Sequence, residues 1–111
     1  VLQEEWDRHT PPFVESTGLR IATNPDGPDD YLVNMGNTYL KTELRAARPD
    51  NHALIAHQFK WGLAVAAIGM IQHEGKKDET ERLSKETLNG ALDGLAAVIV
   101  PIIRYLSQPV G

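Results

Sequence analysis

Cysteine is absent from the 111 residues. That absence excludes disulfide staples, zinc–thiolate centres and thiol nucleophiles together. Clustered cationic charge is missing too. Eleven Lys and Arg stand against 15 Asp and Glu, for a formal net charge of −4. The one basic pair, Lys76-Lys77, is ringed by Glu74, Asp78 and Glu79. Binding to DNA or RNA draws on grouped Lys and Arg, so no nucleic-acid partner is expected. The mild acidity suits a soluble domain.

Signatures of chemistry are equally scarce. The four histidines, His9, His52, His57 and His73, form no H-E-x-x-H helix motif. His52 and His57 are five apart, which turns them to different sides of a helix. The segment "NPDGPDD" (24–30) offers oxygen ligands at Asp26, Asp29 and Asp30, but without the alternating positions and closing glutamate of a calcium loop. It reads as a solvated turn. Ser16, Ser84 and Ser107 lie outside any G-x-S-x-G or S-x-x-K context. Gly18 and Gly36 stand alone, with no phosphate loop around them. No catalytic residue, metal ligand or cofactor is assigned, and the balance leans away from an enzyme.

Long apolar runs are present, but they are too short for a bilayer. "WGLAVAAIGMI" (61–71) has 11 residues and "LAAVIVPII" (95–103) has nine. A membrane-spanning helix takes about 20. Lys60 closes off the first run, and Asp93 and Arg104 flank the second, so no membrane partner is expected. The opening "VLQEEWDRH" is too acidic and polar for a secretory leader. A cytoplasmic location is the expectation. A start on Val1 rather than Met suggests a chain trimmed, or cut as a module from something longer.

Turn chemistry divides the chain into a turn-rich part, 1–36, and a helical part, 37–111. The two prolines of "HTPPF" (9–13) bar a helix there. "GLRIAT" (18–23) and "DYLVNM" (30–35) predict two short strands, joined through "NPDGPDD" as a hairpin. Two strands are marginal alone, so the hairpin must lean on helices. Asn37 is placed to cap a helix over 37–48 that stops before Pro49. Asp50 or Asn51 would cap a long helix ending at Gln72–Glu74, with Gly75 as its stop. Asp78 and Glu81 fit a capping box opening a last helix to about Ser107, kinked at Pro101. Pro109 and Gly111 leave a frayed tail. The fold class is α+β, predominantly α: a short β-hairpin packed against a helix and a long antiparallel helical hairpin, in a single small domain.

The width of the apolar faces carries the functional argument. A surface helix of a small globule shows one apolar stripe and a polar back. Between Trp61 and Ile71 there is no polar back. Leu63, Ala66, Ala67 and Met70 share one face, while Leu54, Trp61, Val65 and Ile68 fall elsewhere. In the second run Leu92, Leu95, Ile99, Ile102 and Leu106 make a stripe, with Val98, Val100 and Ile103 off it. Two antiparallel helices cannot cover each other on every side. Trp61, Val65, Ala67, Ile68, Val98, Ile99 and Ile103 are therefore the candidate interface residues. Gly62, Gly69, Gly90 and Gly94 suggest close approach of helix backbones, since glycine inside a helix costs roughly 0.5–1 kcal/mol relative to alanine.

The stretches "DYLVNMGNTYLKTEL" (30–44) and "FKWGLAVAAIGMI" (59–71) resemble segments of large bacterial proteins that carry ATPase or protease domains. The resemblance holds no catalytic motif and assigns no residue a role; it implies a module of a longer chain. Three functions follow as expectations. The first is a non-catalytic helical interaction or oligomerisation module, with a second copy or a neighbouring domain as partner. The second is an accessory domain of a larger bacterial ATPase or protease. The third is a small ligand-binding domain or enzyme with a pocket between its helices.

Overall fold

A computed structural model of the chain describes residues 1–106. The expected helix end at Ser107 and the Pro109–Gly111 tail lie outside the described residues. The fold is α+β and predominantly α. Strands β1 (Leu19–Ala22) and β2 (Asp30–Val33) form an antiparallel pair with Leu19 opposite Val33 and Ile21 opposite Tyr31. Helices follow as α1 (Thr38–Ala46), α2 (His52–Gly75), α3 (Lys85–Ala96) and α4 (Ile99–Leu106). Short 3-10 turns cover Gln3–Arg8, Pro49–Asn51 and Glu79–Glu81.

The hairpin loop is closed by its own side chain. Asn24 Oδ1 accepts the Asp26 N–H at 3.0 Å, which is the local bond that makes asparagine a turn residue. Asp29 pairs with Lys85 at 3.1 Å, so the loop is anchored to α3 at one point. The outer edge of β1 is covered by the same helix. Asn89 Oδ1 accepts the Ile21 N–H at 2.9 Å, and Asp93 Oδ1 accepts the Gly18 N–H at 2.8 Å. These two side chains, one helical turn apart, supply the acceptors a third strand would offer.

The start of α1 agrees with the sequence. Asn37 Oδ1 accepts the N–H groups of Tyr39 and Leu40 at 2.8 and 3.2 Å. The other helix ends differ from expectation in instructive ways. Neither Asp50 nor Asn51 caps α2 with its side chain. Pro49 opens a 3-10 turn instead, where its fixed φ fits and its missing N–H has no helical partner to lose. At the other end no described glycine has a positive φ, so Gly75 is not a left-handed stop. Arg82 does that work, donating to the carbonyls of Gly75 and Lys77 at 3.2 and 3.1 Å.

The last helix is not the single kinked element that the sequence suggests. Glu79–Glu81 forms a 3-10 turn after Asp78, and α3 starts at Lys85 with Ser84 as cap, its Oγ accepting the Thr87 N–H at 3.1 Å. The chain then breaks at Ala97–Val98 and α4 leaves at 57° to α3. Pro101 sits in the first turn of α4, where an unpaired N–H would exist anyway. The proline thus begins a helix rather than bending one.

The core lies between α2, α3 and the inner face of the hairpin. Ile55, Phe59, Leu63 and Ala67 recur every four residues along α2 and are buried with Leu19, Ile21, Leu88, Leu92 and Ala96. Two glycines allow the closest approaches. A Cβ on Gly18 would stand 2.8 Å from the Leu92 carbonyl oxygen and the Ala96 Cβ, and one on Gly62 2.8 Å from Ile99 Cγ1. Burial of a large apolar side chain stabilises by about 1.5–3 kcal/mol, and this one cluster holds most of them. What it leaves uncovered defines the surface described next.

Candidate interaction surface

Helix α2 contacts α1, α3, α4 and both strands, yet it carries two apolar seams and only one is used. At 3.6 residues per turn, Leu54, Trp61, Val65 and Ile68 fall within about 60° of one another around the helix. They point away from the core and are 57, 57, 66 and 42% exposed. Scattered single apolar residues on a surface are ordinary, but four along one helix face are not. The Lys60 ammonium lies 5.4 Å from the Trp61 ring, so the row has one cation beside it.

Helix α4 adds a second row. Val98 precedes it, and Ile102, Tyr105 and Leu106 follow on the same side; all four are exposed. Its opposite side is fixed to the domain. Ile99 and Val100 are buried, and Ile103 reaches toward Gly62. The Arg104 guanidinium pairs with Glu43 on α1 at 2.6 Å, which ties the outer end of α4 down. Gly62 lies about 80° round α2 from the exposed row. Through that contact α4 flanks the row of α2.

The sequence-based interface residues divide cleanly. Trp61, Val65, Ile68 and Val98 are exposed, and Ile103 is half-buried. Ala67 and Ile99 are not surface residues at all. Ala67 falls four residues after Leu63 and eight after Phe59, on the buried seam, and Ile99 packs on Gly62. Both are corrected to core positions. Leu54, Ile102, Tyr105 and Leu106 join the surface in their place. Spacing alone marks Leu54, seven residues before Trp61 and fourteen before Ile68.

Small residues behave less uniformly than expected. Gly62 serves close packing between α2 and α4, whereas Gly69, Gly90 and Gly94 have open space where a Cβ would stand. For those three the packing expectation is corrected: among the described residues nothing approaches them within 4 Å.

Membrane contact by length needs restating as well. The helical segment Pro49–Gly75 is long and apolar enough to cross a bilayer by length and composition, which the 11-residue run alone does not convey. Its inner face is committed elsewhere, with Phe59, Leu63 and Ala67 wholly buried in the domain.

Two hollows offer less. A cleft of about 530 Å³ between β1 and α3 is lined by Arg20, Lys85, Asn89 and Asp93. Its two cationic side chains are already engaged: Arg20 with the Pro11 carbonyl and the Phe13 ring 4.2 Å away, Lys85 with Thr23 and Asp29. Asn89 and Asp93 hold the edge of β1, as above. A shallower hollow of about 210 Å³ has Met35, Ala53, Ala56, His57 and Lys60 around it. Among the described residues, no three His, Asp or Glu side chains come together as metal ligands. His9 instead stands 4.7 Å from the Phe13 ring, centroid to centroid.

One buried carboxylate is tuned by its surroundings. The Glu74 side chain folds onto the α2–α3 connection, and the Lys77 ammonium reaches it at 2.9 Å. The hydrogen bond from Lys77, helped by the Leu83 N–H, holds its carboxyl below the usual carboxylate range against the opposing effect of burial. This is structural chemistry, localised to a loop. No protein-family model, no curated protein and no solved structure matches the chain.

Proposed function

We propose that this chain is a non-catalytic helical interaction module that associates with a second copy of itself through the outer face of α2, flanked by α4. One observation carries the reading. Trp61, Val65 and Ile68, with Leu54 two turns before Trp61, form an exposed apolar row on a helix whose other side is already the centre of the core. Exposing such a row to water costs about 25 cal/mol for each Å² that a partner would remove from solvent. A catalytic reading finds no comparable support, because Asn89 and Asp93 in the cleft between β1 and α3 are spent on holding the edge of β1.

Trp61 is a natural reporter. As the concentration of chain rises through the micromolar range, its emission should shift to the blue as the ring leaves water. Val65→Glu should abolish the shift while leaving the circular-dichroism spectrum unchanged. Emission independent of concentration from nanomolar to high micromolar would remove the support for self-association and point to a different protein as the partner.

A further inference from the structure

We infer that the second copy docks antiparallel, with the two α2 helices crossing near Leu63 and the Trp61 of each against the Val65 of the other. The inference rests on the self-association proposed above and goes further by fixing orientation and register. Three observations on α2 lead to it.

The first is the spacing. Leu54, Trp61 and Ile68 are seven residues apart, and Gln58, Val65 and Gln72 follow each by four. Alternation of three and four is the repeat that presents a straight seam to another helix rather than to a sheet or a loop. A seam of this kind has a helix as its natural occupant, and in a homo-oligomer a two-fold axis brings the same helix to itself.

The second is volume. In a parallel, in-register pair, Trp61 would face Trp61 and Val65 would face Val65, overfilling one layer and underfilling the next. An antiparallel pair with Trp61 opposite Val65 sets large against small in both central layers, as interdigitated cores require. The same register sets Gln58 opposite Ile68 and Leu54 opposite Gln72, so the polar residues lie toward the rim. It centres the contact at the level of Leu63, on the opposite side of the helix from that buried side chain and midway along His52–Gly75. Gly69 and Ala64 beside the row leave room for the indole, and among the described residues nothing lies within 4 Å of a Cβ on Gly69.

The third is charge. Residues 41–52 carry Lys41, Arg45 and Arg48 against Glu43 and Asp50, a net of +1. Residues 72–86 carry Glu74, Asp78, Glu79, Glu81 and Glu86 against Lys76, Lys77, Arg82 and Lys85, a net of −1. Antiparallel docking sets these unlike ends together and opposes the helix dipoles; parallel docking sets like on like. The exposed row on α4 flanks that of α2 and widens the face toward the roughly 800 Å² that a standard-sized interface takes from each partner.

The cysteine-free sequence allows a direct test. Leu54→Cys and Gln72→Cys are both at exposed positions and should leave the helicity of the subunit as in the parent chain. A short bis-maleimide is applied to each variant alone and to their equimolar mixture, beside sedimentation velocity on the same samples. The antiparallel register predicts cross-linked dimer in the mixture and almost none in either variant alone. Self-cross-linking of Leu54→Cys and of Gln72→Cys separately would mean a parallel pair and overturn the inference. Dimers in the centrifuge without any cross-link would overturn it too, while leaving self-association standing. Monomers throughout would overturn both.

Discussion

The Trp6 indole N–H donates to Asn34 Oδ1 at 2.8 Å, across 28 residues of chain. The same oxygen accepts the Gly36 N–H at 3.1 Å, while Asn34 Nδ2 donates to the carbonyls of Val14 and Thr17 at 3.0 and 2.9 Å. Asn34 is fully buried and has every donor and acceptor engaged. Its neighbour Asn37, also fully buried, donates to the Thr17 carbonyl and caps α1. Between them these two side chains fasten the irregular N-terminal segment to the hairpin and the first helix. Satisfied buried networks of this kind are costly to break, because each orphaned group keeps its desolvation penalty.

Asn34→Ala should therefore destabilise the fold by about 3 kcal/mol, with several buried groups left unpaired. Asn34→Asp should do no better, since a carboxylate has no N–H for Val14 and Thr17. Urea denaturation of the two variants checks this. A loss under about 1 kcal/mol for either would mean that the N-terminal segment does not depend on Asn34.

Glycine positions should separate by sign. Gly90→Ala and Gly94→Ala each place a methyl group in open space on an exposed helix face. Each should stabilise by about 0.5–1 kcal/mol. Gly18→Ala meets the Leu92 carbonyl oxygen and the Ala96 Cβ at 2.8 Å and should destabilise, as should Gly62→Ala against Ile99. Thermal melts of the four variants read the order directly. Equal effects at all four sites would contradict the close approach of β1 to α3.

The acid limb of stability should depend on Glu74. Its carboxyl is held below its ordinary value by Lys77 and the Leu83 N–H. A carboxylate with a depressed folded pKa contributes stability above its unfolded pKa and loses it as pH falls through the folded one. The denaturation midpoint of the parent chain should fall below about pH 4.5, and Glu74→Gln should flatten that fall. Identical pH profiles for parent and variant would show that the α2–α3 connection is indifferent to this charge.

Much of this architecture is legible in the sequence, and the exceptions share a cause. Asn37 before a periodic run, Pro49 after it, and the turn residues of 24–30 act within a few residues, so local reading finds them. Ser84 is missed in favour of Asp78 because both are good caps, and Arg82, which closes α2, decides between them from a distance. The exposed row of α2 is legible as a helix without a polar back. Which apolar residues face the core is not: Ala67 and Trp61 look equally eligible until α3 and β1 are in place. Leu106 reads as one stripe with Leu92 and Ile99, yet the bend at Ala97–Val98 separates it from them and leaves it exposed with Tyr105.

Core and surface should respond oppositely to the same kind of change. Ala67→Asp puts an unpaired charge among Phe59, Leu63 and Leu92 and should cost several kcal/mol, enough to unfold a small domain. Val65→Glu, two residues away and 66% exposed, should leave the subunit folded. Circular dichroism on the pair checks the assignment. A folded Ala67→Asp chain would contradict the position of α2 in the core.

Sedimentation velocity of the parent chain beside Val65→Glu, across nanomolar to high micromolar concentrations, tests the central claim most directly. Self-association through α2 predicts a dimer of the 12.3 kDa chain that dissociates on dilution, and a folded monomer for Val65→Glu at every concentration. A parent chain that sediments as a compact monomer throughout, or a Val65→Glu chain that dimerises as the parent does, would contradict it.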